Sequence, residues 1–102
     1  MVKRRLIWDA NASKNRKKIL KYWNDRTNSK VYSIKLNKMF SNAIKHLVDF
    51  PDAGKKYEET EFRYVIVNDY LIFYKHDNSF VTILKVWDAN RDPKNLKIKN
   101  TI

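Results

Sequence analysis

Residues 62–93 read FRYVIVNDYLIFYKHDNSFVTILKVWDANRDP, and no other stretch restricts the possible folds as tightly. Three runs rich in β-branched and aromatic residues are separated by Asn68-Asp69 and by Asp77-Asn78-Ser79. Asn and Asp tolerate left-handed backbone angles and hydrogen-bond their own backbone, so both separators are turn sequences. The pattern predicts a three-stranded antiparallel meander. Its middle run is apolar on both sides, with Tyr70, Ile72 and Tyr74 on one and Leu71 and Phe73 on the other. A sheet with one wet face would alternate apolar with polar residues. Helices can cover one face. In a chain of 102 residues the second face is expected to meet a partner.

The elements before the meander follow from period and caps. Residues 4–8 read as a short strand. Asp9, Asn11 or Ser13 can cap a helix running to about residue 26, in which Ala12, Ile19, Leu20 and Trp23 keep helical spacing. Lys14, Lys17, Lys18 and Lys21 fall on its other face. Thr27-Asn28-Ser29 breaks the pattern, and Ser29 can cap a second helix. Tyr32, Leu36, Met39, Phe40, Ala43 and Leu47 form one broad apolar stripe along it. The helix stops at Phe50-Pro51, because proline disfavours helix in the residue before it. A short connection makes the two helices an antiparallel hairpin. The expected fold is α+β, in the order β-α-α-β-β-β. The helical hairpin packs on one face of a small, twisted, mainly antiparallel sheet, with Val65, Val67, Ile72, Ile83 and Trp23 in the core. Residues 1–102 read as a single domain, with 97–102 a basic, frayed tail.

Charge narrows the class. Lys and Arg number 22 against 11 Asp and Glu, a net charge of +11. A domain this basic expects a polyanion or an acidic protein segment. The basic residues are spread along the chain, unlike the 4–8-residue clusters of membrane-binding segments. No run approaches the roughly 18 apolar residues of a membrane span, and Leu6-Ile7-Trp8 is too short for a signal peptide, so a cytoplasmic location is expected. With no cysteine and two histidines, no disulfide, zinc-thiolate or thiol nucleophile is available and no metal or cofactor is expected.

Several local sequences, taken in order, carry a resemblance. They are the strand with Trp8, the helix ending KYWNDRTNS, Tyr32-Ser33-Ile34-Lys35-Leu36, and HLVDFPDAG from His46 to Gly54. Then come Arg63 with the run from Tyr70 through Leu71, Ile72 and Phe73 to Tyr74, and finally VWDANRDP. Together they resemble the RelE/ParE superfamily of toxins from type II toxin–antitoxin modules. The resemblance implies a growth-inhibiting toxin that a cognate acidic antitoxin neutralises. It also implies one of two targets: messenger RNA cut in the ribosomal A site, as in RelE-like members, or DNA gyrase, as in ParE-like members.

Cutting RNA through its own 2′-hydroxyl needs a base, an acid and cations on the phosphate. The resemblance to the RNA-cutting branch implies an Arg just after the start of the middle strand, where this chain has Leu71. It also implies a Tyr or His beyond the last strand, where this chain reads Trp87-Asp88-Ala89-Asn90-Arg91. The endonuclease candidates are therefore Arg63, Arg91, Lys85 and Tyr74. The candidates for binding a target or antitoxin are Arg63, Leu71, Phe73, Trp87 and Arg91. Each has a plainer reading. Arg63 fits an ion pair with Glu59 or Glu61, Arg91 one with Asp88 or Asp92, and Trp87 and Tyr74 fit core positions. His46 and His76 read as packing and turn residues. Three readings stay open: a toxin that binds a protein target, a ribosome-dependent endonuclease, and a small basic nucleic-acid-binding protein. The missing acid–base residues favour the first.

Overall fold

The computed structural model describes residues 4–89. Its elements are β1 (Arg5–Trp8), α1 (Ala10–Thr27), α2 (Val31–Asp49), β2 (Lys55–Lys56), β3 (Arg63–Val67), β4 (Tyr70–His76) and β5 (Phe80–Asp88). They form a five-stranded sheet in the order β1-β5-β4-β3-β2. β1 lies parallel to β5, and every other neighbouring pair is antiparallel. The expected α+β architecture is present, with one strand more than the sequence pattern gave. Arg91 and the 97–102 tail lie outside the described residues.

The helix ends follow the residues at them. Asp9 caps α1, its carboxylate accepting the Asn11 amide at 3.0 Å. Asn28 closes it in the left-handed region, at φ 52°. The N-cap of α2 is Lys30, which makes no side-chain cap bond, and not the expected Ser29. The Ser29 hydroxyl still accepts the Val31 amide at 3.2 Å, and Pro51 follows the C-cap residue Phe50. Leu36, Phe40, Ile44 and Leu47 of α2 are buried against Val67, Ile72, Tyr74, Val81, Ile83 and Val86 of the sheet. α1 adds buried Ala12 and the half-buried Ile19, Leu20 and Trp23. Val65 is likewise only partly buried. The Asn24–Ser33 and Arg16–Asn37 side-chain hydrogen bonds hold the helices together. Among the described residues no helix is long and apolar enough to cross a membrane.

The second face of the sheet corrects an expectation. Phe73 is only 1% exposed without any partner chain. The segment after β2 folds back over it. Tyr57 meets its ring edge-on at 5.2 Å, and Phe62 and Leu84 complete a second small core. The chain covers the middle of this outer face itself and leaves its flanks open.

Candidate functional site

Strand pairing sorts the candidate residues onto two opposite faces. Arg63 pairs with Tyr74, whose ring belongs to the helix-side core. Leu71 pairs with Trp87 and Phe73 with Lys85, and Leu71, Phe73 and Trp87 belong to the outer cluster. The endonuclease set is thus divided by the thickness of the sheet, with Arg63 and Tyr74 on one side and Lys85 on the other.

Arg63 and Tyr74 have local tasks. The Tyr74 hydroxyl accepts the Gly54 amide at 2.9 Å and donates to the Pro51 carbonyl at 2.7 Å. Burial pushes that hydroxyl's pKa above its ordinary value, against the Gly54 hydrogen bond and the Arg63 charge. A buried, doubly bonded hydroxyl is not placed to shuttle a proton to substrate. One Arg63 terminal nitrogen donates to the Gly54 carbonyl at 2.8 Å, and the other lies 3.5 Å from the Asp52 carboxylate. Asp52 also meets the His76 Nε2 at 2.9 Å. Arg63's ion-pair partner is therefore Asp52, not Glu59 or Glu61, because the turn after α2 returns beneath the guanidinium. His76 is the last residue of β4 and contributes to the same latch.

Phe73 lies too deep to touch a partner and supports the residues around it. Its open neighbours are Leu71 and Trp87, both half-buried, and Ile66 of β3, 61% exposed. The Lys85 ammonium sits 5.4 Å from the centre of the Trp87 ring, a cation–π contact. Trp87 also borders a cleft of about 490 Å³ between α1 and the ends of β4 and β5. β1 stops pairing at Ile83, so among the described residues the last part of β5 has no strand on its β1 side, and α1 forms the opposite wall. There the Asn15 side-chain oxygen accepts the Val86 amide at 3.2 Å. Trp23 donates its indole N–H to the Tyr70 hydroxyl at 2.8 Å, which stiffens the floor. Burial raises the Tyr70 pKa, opposed by that same hydrogen bond.

Lys18, Tyr22 and Arg26 of α1 complete the cleft, and sequence reasoning missed all three as site residues. A signal existed in Tyr22, 52% exposed on an otherwise lysine-rich helix face. Asp69 and Asp88 stand among these cations. Mixed charge around aromatic walls suits a protein surface better than a phosphate backbone, which the two carboxylates would repel. Among the described residues no group of three His, Cys, Asp or Glu could hold a metal ion.

A solved structure described as the chromosomal ParDE toxin–antitoxin system from P. aeruginosa shares the fold. Its TM-score is 0.76 at 14% identity, covering 85% of this chain and 97% of that one. No curated protein sequence matches. The family model for the ParE toxin of the type II toxin–antitoxin system parDE matches residues 6–93, from β1 past the end of β5. The chain belongs to the ParE toxin family.

Proposed function

We propose that this chain is a cytoplasmic toxin that arrests growth by binding an essential protein target, with DNA gyrase the target by family analogy. A cognate acidic antitoxin neutralises it. The match to the ParE toxin over residues 6–93 is the observation that carries the reading. The division of Arg63 and Tyr74 from Lys85 across the sheet supports binding over RNA cleavage. The open flank around Ile66, Leu71 and Trp87, with the adjoining cleft, offers the contact surface. An antitoxin with apolar anchors and acidic flanks complements both that flank and the net charge of +11. Its association should slow with salt, as the Debye length falls from about 10 Å at 0.1 M to about 3 Å at 1 M.

Expression of the chain alone in a bacterial host tests this reading. Growth should stop with filamentation and a DNA-damage response, and purified protein should inhibit supercoiling by gyrase. Toe-printing on translating ribosomes should give no new A-site cuts. Codon-positioned cleavage with gyrase unaffected would overturn the proposal in favour of a ribosome-dependent mRNA endonuclease.

A further inference from the structure

A second pocket, of about 190 Å³, lies at the opposite edge of the helix layer. Leu6 and Trp8 of β1 and Ile44 and Val48 of α2 give it apolar walls, with Arg16 and Lys45 beside them. Arg16 stacks on Trp8, its guanidinium carbon 4.9 Å from the ring centre. Its Nε donates to the Asn37 side-chain oxygen at 2.7 Å, and one terminal nitrogen reaches that same oxygen and the Ser41 hydroxyl. Every one of these acceptors is neutral. Among the described residues no carboxylate lies within ion-pair distance of Arg16. A half-buried guanidinium has lost part of its hydration, and a carboxylate would restore more than an amide oxygen can.

The strand beside this pocket is an edge. Among the described residues, β1 has β5 on one side and no strand on the other. The amides of Arg5 and Asp9 point inward, to the carbonyls of Ser79 and Ile83, each at 2.9 Å. By the alternation of a strand, the backbone groups of Leu6 and Trp8 therefore point outward. An outward row of donors and acceptors is a template for one more strand.

We propose that the outer edge of β1 and this pocket receive an extended acidic segment of a partner protein, added to the sheet as a further strand. One aliphatic side chain of that segment sits on Leu6, Trp8, Ile44 and Val48. A carboxylate two residues away, on the same face of the added strand, meets Arg16 and Lys45. Size argues for a side chain as occupant, since small-molecule pockets run from about 300 to 1,000 Å³ and this one is smaller. Charge argues against a second copy of the chain. Two molecules of net charge +11, meeting beside Arg4 and Arg5, repel each other, whereas an acidic segment is drawn in. The gyrase assay tests the toxin reading, and its result leaves this site untouched.

The test is a titration of the full-length, isotope-labelled chain with the peptide acetyl-Thr-Glu-Thr-Leu-Thr-Glu-Thr-amide. Glutamates on both sides of the leucine put one beside Arg16 in either strand direction. Saturable shifts should appear at the Leu6 and Trp8 amides and the Trp8 indole, with hydrogen exchange of the two amides slowed. Arg16→Gln and Lys45→Glu should each weaken binding about tenfold, as should glutamine in place of glutamate in the peptide. Lys45 is exposed, so its variant retains the fold if Arg16→Gln does not. Lys75→Glu, an equal charge change at a half-buried position on the opposite face of the sheet, should alter affinity less than about twofold, since a distant charge is largely screened. No binding at millimolar peptide, protection elsewhere, equal effects of Lys45→Glu and Lys75→Glu, or self-association of the free chain through β1 would each overturn the proposal.

Discussion

Phe73 and Tyr74 are consecutive in β4, both are buried, and they are covered in different ways. Tyr74 lies under the two helices, in a core whose residues come from α1, α2, β3, β4 and β5. Phe73 lies under an irregular segment that supplies only Tyr57 and Phe62. The first cover is built from long periodic elements and is continuous. The second is a patch over the middle of a wider apolar strip. What distinguishes the faces is how far the cover extends, and the uncovered remainder, Leu71, Trp87 and Ile66, is where a partner can gain by burial.

The largest difference should appear in stability. Phe40→Ala removes a fully buried α2 ring that meets Tyr70 edge-on at 5.6 Å. It should cost about 3–5 kcal/mol, lowering the thermal midpoint by roughly 4–8 °C for each kcal/mol in a domain of this size. Leu71→Ala, on the open flank, should cost only about 1 kcal/mol. Urea unfolding of both variants measures the gap. Equal losses would mean that the outer flank is as much a part of the folding core as the helix side.

A smaller loss is expected where the outer cover is thinnest. Tyr57→Ala removes the ring over Phe73 and should cost about 1–3 kcal/mol, because an aromatic contact goes together with its buried area. It should also join the covered and uncovered parts of the outer face into one apolar surface. Binding of a hydrophobic dye to the folded variant should therefore rise, with no such rise for Leu71→Ala. An unchanged dye signal would break the distinction between a thin cover and a thick one.

How much of this was legible in sequence follows the same division. Turn residues between β-branched and aromatic runs marked β3, β4 and β5, and the apolar stripe with Pro51 marked α2 and its end. All are long enough to carry a pattern. Lys55-Lys56 is too short to have a period, so β2 passed as a loop. Tyr57 and Phe62 sit in irregular backbone, where an apolar residue does not announce the face it will cover. The site suffered for a related reason. Arg63 is paired through Asp52 and Gly54, eleven and nine residues away across a turn, and no local pattern encodes that return. Strand alternation did give the facing of Leu71 and Phe73. It could not give the cleft, which depends on where β1 stops beside β5 and where α1 crosses.

The latch beneath Arg63 sharpens the comparison at a single hydroxyl. Tyr74→Phe leaves the Gly54 amide and the Pro51 carbonyl without their partner and should cost about 1–2 kcal/mol. Faster hydrogen exchange at Gly54, with the outer face unaffected, is the specific readout. Gly54→Ala attacks the same spot by crowding. A Cβ there would come within 2.5 Å of the Tyr74 hydroxyl and 2.9 Å of the Tyr64 carbonyl oxygen, and the latter belongs to strand backbone that cannot move aside cheaply. If neither variant releases the 51–54 turn, the latch is not what holds it.

The smallest effect should be electrostatic and confined to the turn between β4 and β5, at the far end of both faces. Asp77 accepts the amides of Ser79 and Phe80 at 2.7 and 2.8 Å, and these bonds hold its carboxyl below the usual aspartate range. A depressed folded-state pKa stabilises the protein at pH values above the ordinary unfolded value, about 3.9. That contribution is lost as pH falls through the lower folded value. Asp77→Asn keeps an acceptor for the turn but cannot titrate. Its small deficit at neutral pH should hold steady to about pH 4, shrink below that, and vanish once the native carboxyl is protonated. Paired urea titrations of the two proteins from neutral pH into acid follow that difference. A deficit that stays constant through the acid limb would show that the turn draws nothing from the charge of Asp77, and that its two hydrogen bonds act as neutral ones.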